Sequence, residues 1–168
     1  CEPYITSDHR VMLEHPKCIL TGIKAVMKAV GAQNTFVGIE SNKPDAIAKL
    51  TEIFGECENI NVVPVLAKYP QGSEKQMINA ITGRQVPSGG LPSDVGVVVL
   101  NIDTVWAIAD VINKGLPLIY RIVTLSGGAV KQPKNYLVRL GTPVKDIIET
   151  AGGFSQEPAK IILGGPMM

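Results

Sequence analysis

The sequence predicts an α/β protein: a mostly parallel sheet with helices on both faces, followed by a smaller unit of short strands. Short, continuous apolar runs rich in β-branched residues alternate with segments of ten or more residues in helical period. Continuous apolarity is what a strand covered on both faces needs, and the alternation places helices over it. Near Pro117 the alternation stops, and Gly/Pro turns begin to separate short strands.

The elements follow in order. Pro16 opens "HPKCILTGIKAVMKAVG", where Ile19, Ile23, Val26, Met27 and Val30 recur at helical spacing and Gly31 supplies the stop. "NTFVGIE" is a first strand. Asn42 and Pro44 then open a helix with Ile47, Leu50, Ile53 and Phe54 on one face. "NINVVPVLAK" is a second buried strand, and a helix runs from Ser73 to about Thr82-Gly83. "VGVVVLN" is predicted as a third strand, and "DTVWAIADVINKG" as the helix that closes the series. Beyond it, "LIYRIVTLSGGAVKQPKNYLVRLG" reads as two strands joined by a turn. Thr142-Pro143 caps a helix "PVKDIIETAGG", and "KIILGG" is a last strand. Two strands, a helix and a strand make a small β-grasp-like unit, so the predicted division is 1–116 and 117–168.

Composition narrows the function. Of 168 residues, 45% are apolar, enough for a real core. Charged residues make up 18% with a net charge of +1 and no basic block, so no nucleic-acid partner is expected. No apolar run approaches the ~18 residues of a membrane span, so no direct membrane insertion is expected. Cys1, Cys18 and Cys57 are far apart, which encodes neither a zinc site nor a disulfide framework and suits a reducing cytoplasm. Starting on Cys1 and stopping on "ILGGPMM", the chain reads as a piece of something longer.

The segment with most chemical promise is "KYPQGSEKQMINAITGRQVPSGGLP". Ser73 followed by Gln76 is a capping-box pattern, and Gly72 lets a ligand approach the backbone closely. A glycine-led helix start at the carboxyl end of a strand suits phosphate, because free N–H groups and the positive dipole end point outward together. Asn101 to Thr104 repeats this arrangement after "VGVVVL". Two such corners along one sheet edge form the crevice where open α/β folds bind ligands. The same patterns also cap helices that bind nothing, and Asn101 and Asp103 fit that role as well. The loop "TGRQVPSGGLP" exceeds the ~4 to 6 residues that connect most elements, which favours a functional loop. His9 and Arg10 in "TSDHR" read as solvated first-turn side chains, since no Ser or Cys partner arrangement accompanies them. His15 reads as a helix-end residue, and Trp106 with the Met77, Ile78, Ile81 stripe as core.

Four stretches, "CEPYITSDHRVMLEHP", "KYPQGSEKQMINAITGRQVPSGGLPSDVGVVVLNIDT", "VTLSGGAVKQPKNYLVRLGTP" and "GGPMM", closely resemble the RnfC family, the C component of the Rnf ion-translocating electron-transport complex. That family is related to the flavin-bearing, NADH-oxidising subunit of respiratory complex I. The resemblance implies a parent oxidoreductase that takes electrons from NADH onto FMN and passes them to 4Fe-4S clusters. It implies the other Rnf subunits as partners, at the cytoplasmic face of the membrane. In the complex I relative a "YxxGEE" stretch and an "NNxET" stretch help hold FMN. The matching positions are Tyr69, Gly72, Ser73 and Glu74, then Asn101, Asp103 and Thr104, and Glu2 with Pro3 matches an acidic "EP" segment near flavin and nicotinamide. Ser73 stands where the relative has a glutamate, and Leu100 where it has an asparagine. The family's upstream "GGAGFP"-type segment and downstream "CxxCxxCxxxCP" runs are not in this sequence. The 168 residues alone are therefore expected to bind flavin weakly and to be inactive, with no metal site of their own. Related readings are an RnfC-like carrier serving a cobalamin or proline reductase, or a docking module whose tail, similar to a soluble-ligand-binding β-grasp (SLBB) domain, recognises a partner or small ligand.

Overall fold

The computed structural model describes residues 2–167. Helices α1 (Ser7–Glu14) and α2 (Pro16–Val30) are followed by strand β1 (Thr35–Glu40), helix α3 (Pro44–Phe54) and strand β2 (Ile60–Val65). Next come α4 (Glu74–Thr82), a 3-10 turn (Pro92–Val95) and α5 (Ile102–Lys114). The tail holds β3 (Tyr120–Leu125), β4 (Lys134–Arg139) and α6 (Val144–Thr150). Strands β1 and β2 pair in parallel, from Thr35 opposite Ile60 to Glu40 opposite Val65. Strands β3 and β4 pair antiparallel, from Tyr120 opposite Arg139 to Leu125 opposite Lys134. The tail's hairpin and helix are tied further by a single bridge between Val130 and Phe154.

Side-chain alternation in β1 explains why helices occupy both faces. Val37 and Ile39 are buried in one core with Ile19, Ile23, Leu50 and Phe54 from α2 and α3. Gly38 points the opposite way, and a Cβ there would lie 2.5 Å from the sulfur of Met77 in α4. Glycine therefore lets α4 close on the second face. Helices α2 and α5 meet just as tightly at Gly22, where a Cβ would fall 2.1 Å from the Val105 carbonyl oxygen. The helix ends agree with the sequence reading, since Gly31, Gly83 and Gly115 all take left-handed C-cap conformations.

Three elements differ from expectation. "VGVVVLN" forms no strand: Val95 ends the 3-10 turn, Gly96 is its left-handed cap, and Val97 to Leu100 are unpaired, so the parallel sheet has two strands among the described residues. Its residues Val97 to Leu100 alternate in burial as a strand's would, yet they stand across a groove from β1 and find no ladder partner. A strand exists only by pairing, which apolar content alone cannot secure. "KIILGG" likewise forms no strand, and Ile161, Ile162 and Leu163 are exposed. Finally, Ser73 precedes α4 as N-cap with no side-chain cap bond, and Gln76 is exposed, so the capping box is not formed.

Candidate functional site

The groove between β1 and Val97–Leu100 has a volume of about 1230 Å³. Apolar residues of two helices line it, Ile23 and Met27 of α2 and Met77, Ile78 and Ile81 of α4. Polar residues line it as well: Glu2, Asp8, His9, Gln71, Glu74 and Asn101. Ligand sites commonly occupy ~300 to 1,000 Å³ and combine apolar walls with a few convergent polar groups, so the space suffices for a nucleotide-sized molecule.

Both helix-start corners border this groove. Gly72, Glu74 and Asn101 all line it, together with Glu2. Gly72 is exposed and carries no side chain to block approach. Because no side chain caps α4, its first-turn amides keep their capacity to bind an acceptor. Asn101 is more committed. Its Oδ1 accepts from the Asp103 amide at 2.8 Å, capping α5, while its Nδ2 donates to Asp8 Oδ2 at 2.9 Å.

The other expected residues lie elsewhere. Tyr69 and Ser73 are exposed and do not line the groove. Asp103 is buried, at 7% exposure, and accepts at Oδ2 from Arg121 of β3 at 3.1 Å. Thr104 Oγ1 accepts from the same guanidinium at 3.5 Å. Burial pushes the Asp103 carboxyl above the ordinary carboxylate range, Arg121 opposes the shift, and the charge of Asp8 adds to it. Asp103 and Thr104 thus face the tail's first strand.

Glu2 is held by the far end of the chain. Its Oε2 accepts from the Met167 amide at 3.1 Å, and a Cβ on Gly165 would overlap its carboxylate. Gly165 to Met167 therefore crosses Glu2 at a point only glycine permits. Glu2 Oε1 is buried without a hydrogen-bond partner. Cys1 lies outside the described residues.

His9 is half-buried and paired rather than free in solvent. It lines the groove, and its Nε2 sits 2.8 Å from Asp45 Oδ1 of α3, a bond that holds the Asp45 carboxyl below its ordinary range. Arg10 is exposed and pairs with Glu14 one turn on. Where β1 ends, Glu40 pairs with Lys43 at 2.7 Å; burial alone would raise the Glu40 carboxyl, but that pairing keeps it low. Trp106 is half-buried and stacks on His15, with ring centroids 5.4 Å apart. Of the expected stripe on α4, Ile78 is fully buried and Met77 and Ile81 partly so.

Sequence reasoning passed over Gln71, which is 8% exposed, lines the groove, and has an unpartnered Nε2. The available signal was its place inside the motif, directly before Gly72. Among the described residues no helix is long and apolar enough to cross a membrane, and no cluster of three or more His, Cys, Asp or Glu is set to hold a metal.

Comparison with known proteins bears on this geometry. The chain is 54% identical over 168 residues to the C component of the proton-translocating ferredoxin:NAD(+) oxidoreductase complex of Clostridium ljungdahlii, covering all of this chain and 36% of the relative. It is 48% identical to the C component of the Na(+)-translocating ferredoxin:NAD(+) oxidoreductase complex of Acetobacterium woodii, covering 38% of that protein. The C component of the ion-translocating oxidoreductase complex of Rhodobacter capsulatus is 46% identical over 171 residues, with 33% of its length covered. The chain thus spans about a third of the length of these relatives. Among solved structures, an NAD+-reducing [NiFe]-hydrogenase in the H2-reduced state superposes with a TM-score of 0.75 at 20% identity, over 91% of this chain and 31% of that one. That likeness supports the mixed α/β fold. An SLBB domain model matches residues 122–168. Residues 1–110 match the Nuo51 FMN-binding domain model, and the chain belongs to that family.

Proposed function

We propose that the complete protein oxidises NADH at FMN and passes electrons singly to 4Fe-4S clusters of a membrane ion-translocating complex of the Rnf type. In this reading residues 1–116 form part of the flavin and NADH site, and 117–168 form a β-grasp-like SLBB unit. The single observation that carries it is the convergence of Glu2, Gly72, Glu74 and Asn101 on one groove. The groove also suits the group chemically: it joins uncapped helix amides, an approachable glycine backbone and two unpartnered buried polar atoms, Glu2 Oε1 and Gln71 Nε2. FMN bound there would supply hydride acceptance and one-electron release.

The chain's own residues hold and orient. Amides at the start of α4, reached past Gly72 and Ser73, suit a phosphate. Glu2 and Glu74 bring carboxylates to the reacting end, and Asn101 presents one rim of the groove. Tyr69, Asp103 and Thr104 belong to the proposed site as its supports, Asp103 and Thr104 through Arg121. Partners are the remaining members of the complex, with the protein peripheral to the membrane on its cytoplasmic side. Relatives of the same chemistry serving a soluble cobalamin or proline reductase are the neighbouring alternative.

The test is a visible spectrum of the full-length protein with and without NADH. A flavin spectrum bleached by NADH is expected; absence of flavin from the full-length protein removes the redox reading. The 168 residues alone are expected to retain little flavin. A docking role for the tail is favoured by its exposed apolar residues, Leu137, Leu140 and Ile161 to Leu163. Capture of the other subunits by the full-length protein, lost on deletion past Leu116, would establish that role.

A further inference from the structure

We infer that Gln71 is a ligand-contacting residue of the groove, its carboxamide NH2 donating to a neutral acceptor, a carbonyl oxygen or ring nitrogen, on the planar ring of the bound cofactor. The inference rests on the flavin reading and deepens it. Gln71 is 8% exposed, and its Nε2 is buried with no acceptor among the described residues. Buried amides are nearly always paired, so an orphan donor on a residue that lines a cavity marks a place where a partner belongs. The backbone at Gln71 is fixed by two turns. The Gln71 amide donates to the Lys68 carbonyl at 2.8 Å, and the Ser73 amide to that of Pro70 at 2.9 Å. Two interlocked turns therefore fix the residue on either side of its Cα.

Burial also decides which part of a nucleotide it meets. The exposed stretch from Gly72 to Gln76 offers the uncapped amides of α4, the natural place for a charged, solvated phosphate. Gln71 lies buried beside that stretch, in the groove that Met77 and Ile78 make apolar. A dry, neutral donor is suited to a neutral acceptor on a flat ring, whose desolvation is far less costly than that of a phosphate. Glu2 Oε1, an acceptor without a donor, lines the same groove.

The experiment compares wild type, Gln71→Leu and Gln71→Asn in the full-length protein, stripped of flavin and titrated with FMN by fluorescence quenching. Each apo form is also melted. Gln71→Leu should weaken FMN binding about tenfold, while the apo melting temperature stays level or rises because an unpaired buried donor has been removed. Gln71→Asn should recover part of the affinity and shift the visible absorption of the bound flavin. If Gln71→Leu binds FMN as wild type does, or loses affinity only along with a lowered apo melting temperature while Gln71→Asn recovers none of it, Gln71 is structural and the inference is overturned. If wild type itself takes up no FMN, the flavin reading fails first and the inference falls with it.

Discussion

Arg121 is the most informative residue to perturb, because it joins β3 to the helix start at Asn101. Its guanidinium donates to Asp103 Oδ2 at 3.1 Å, while Asp103 Oδ1 is buried with no partner. Arg121→Met keeps most of the side-chain bulk and leaves both carboxylate oxygens without a donor. Breaking a fully buried pair costs about 3 to 5 kcal/mol, but the Arg121 side chain is 36% exposed, so solvent replaces part of what is lost. A destabilisation of about 1 to 3 kcal/mol at pH 7 is expected, with a melting temperature lower by roughly 2 to 4 °C for each kcal/mol. The pH dependence is the sharper signature. Asp103 binds its proton more tightly in the folded state, chiefly through burial. Such a group contributes stability at acid pH that is lost as pH rises from its ordinary value through its raised folded value. Removing Arg121 takes away the attraction that opposes the shift, so the raised value climbs further. The penalty of Arg121→Met should therefore be smallest toward pH 4 and grow to pH 7. Urea unfolding at the two pH values, repeated in an Asp103→Asn background, reads this directly. Equal losses at both pH values, or an undiminished loss in that background, would refute the ion-pair account.

Other perturbations probe separate joints. Asn101→Ala removes the cap of α5 and the bond to Asp8, and should cost about 1 kcal/mol in thermal melts. Gly22→Ala drives a methyl against the Val105 carbonyl, 2.1 Å away, and should separate α2 from α5 at a cost of about 3 kcal/mol, seen as a lower urea midpoint. Thr124 Oγ1 accepts from the Thr6 and Ser7 amides, each at 3.1 Å, and donates to Asn135 at 2.7 Å, so a β3 residue caps α1. Thr124→Val should speed hydrogen exchange at those two amides and destabilise by about 1 to 2 kcal/mol.

Much of the architecture was legible because its signals are local. Periodic apolar residues, prolines at helix starts and glycines past helix ends place α2, α3, α4 and α5 to within a residue or two. Both strands of the parallel pair and the tail hairpin lie where apolar runs meet turn residues. Gly72 and Asn101 were identifiable as helix-start corners, since each corner is built within four or five consecutive residues.

What sequence alone determined about this protein, then, is which segments coil, which extend and which backbone corners could receive a ligand; these follow from contacts between residues a few positions apart. The tertiary structure decided what depends on a distant partner. Val97 to Leu100 has the apolar content and alternating burial of a strand but is one only beside another backbone. Asp103 turns to the tail because Arg121, 18 residues on, supplies the charge it needs. Glu2 meets Met167, and Gln71 is buried beside α4, because the folded chain closes around both. No local pattern encodes such burial, since its energy arises from surfaces brought together only when the whole domain packs.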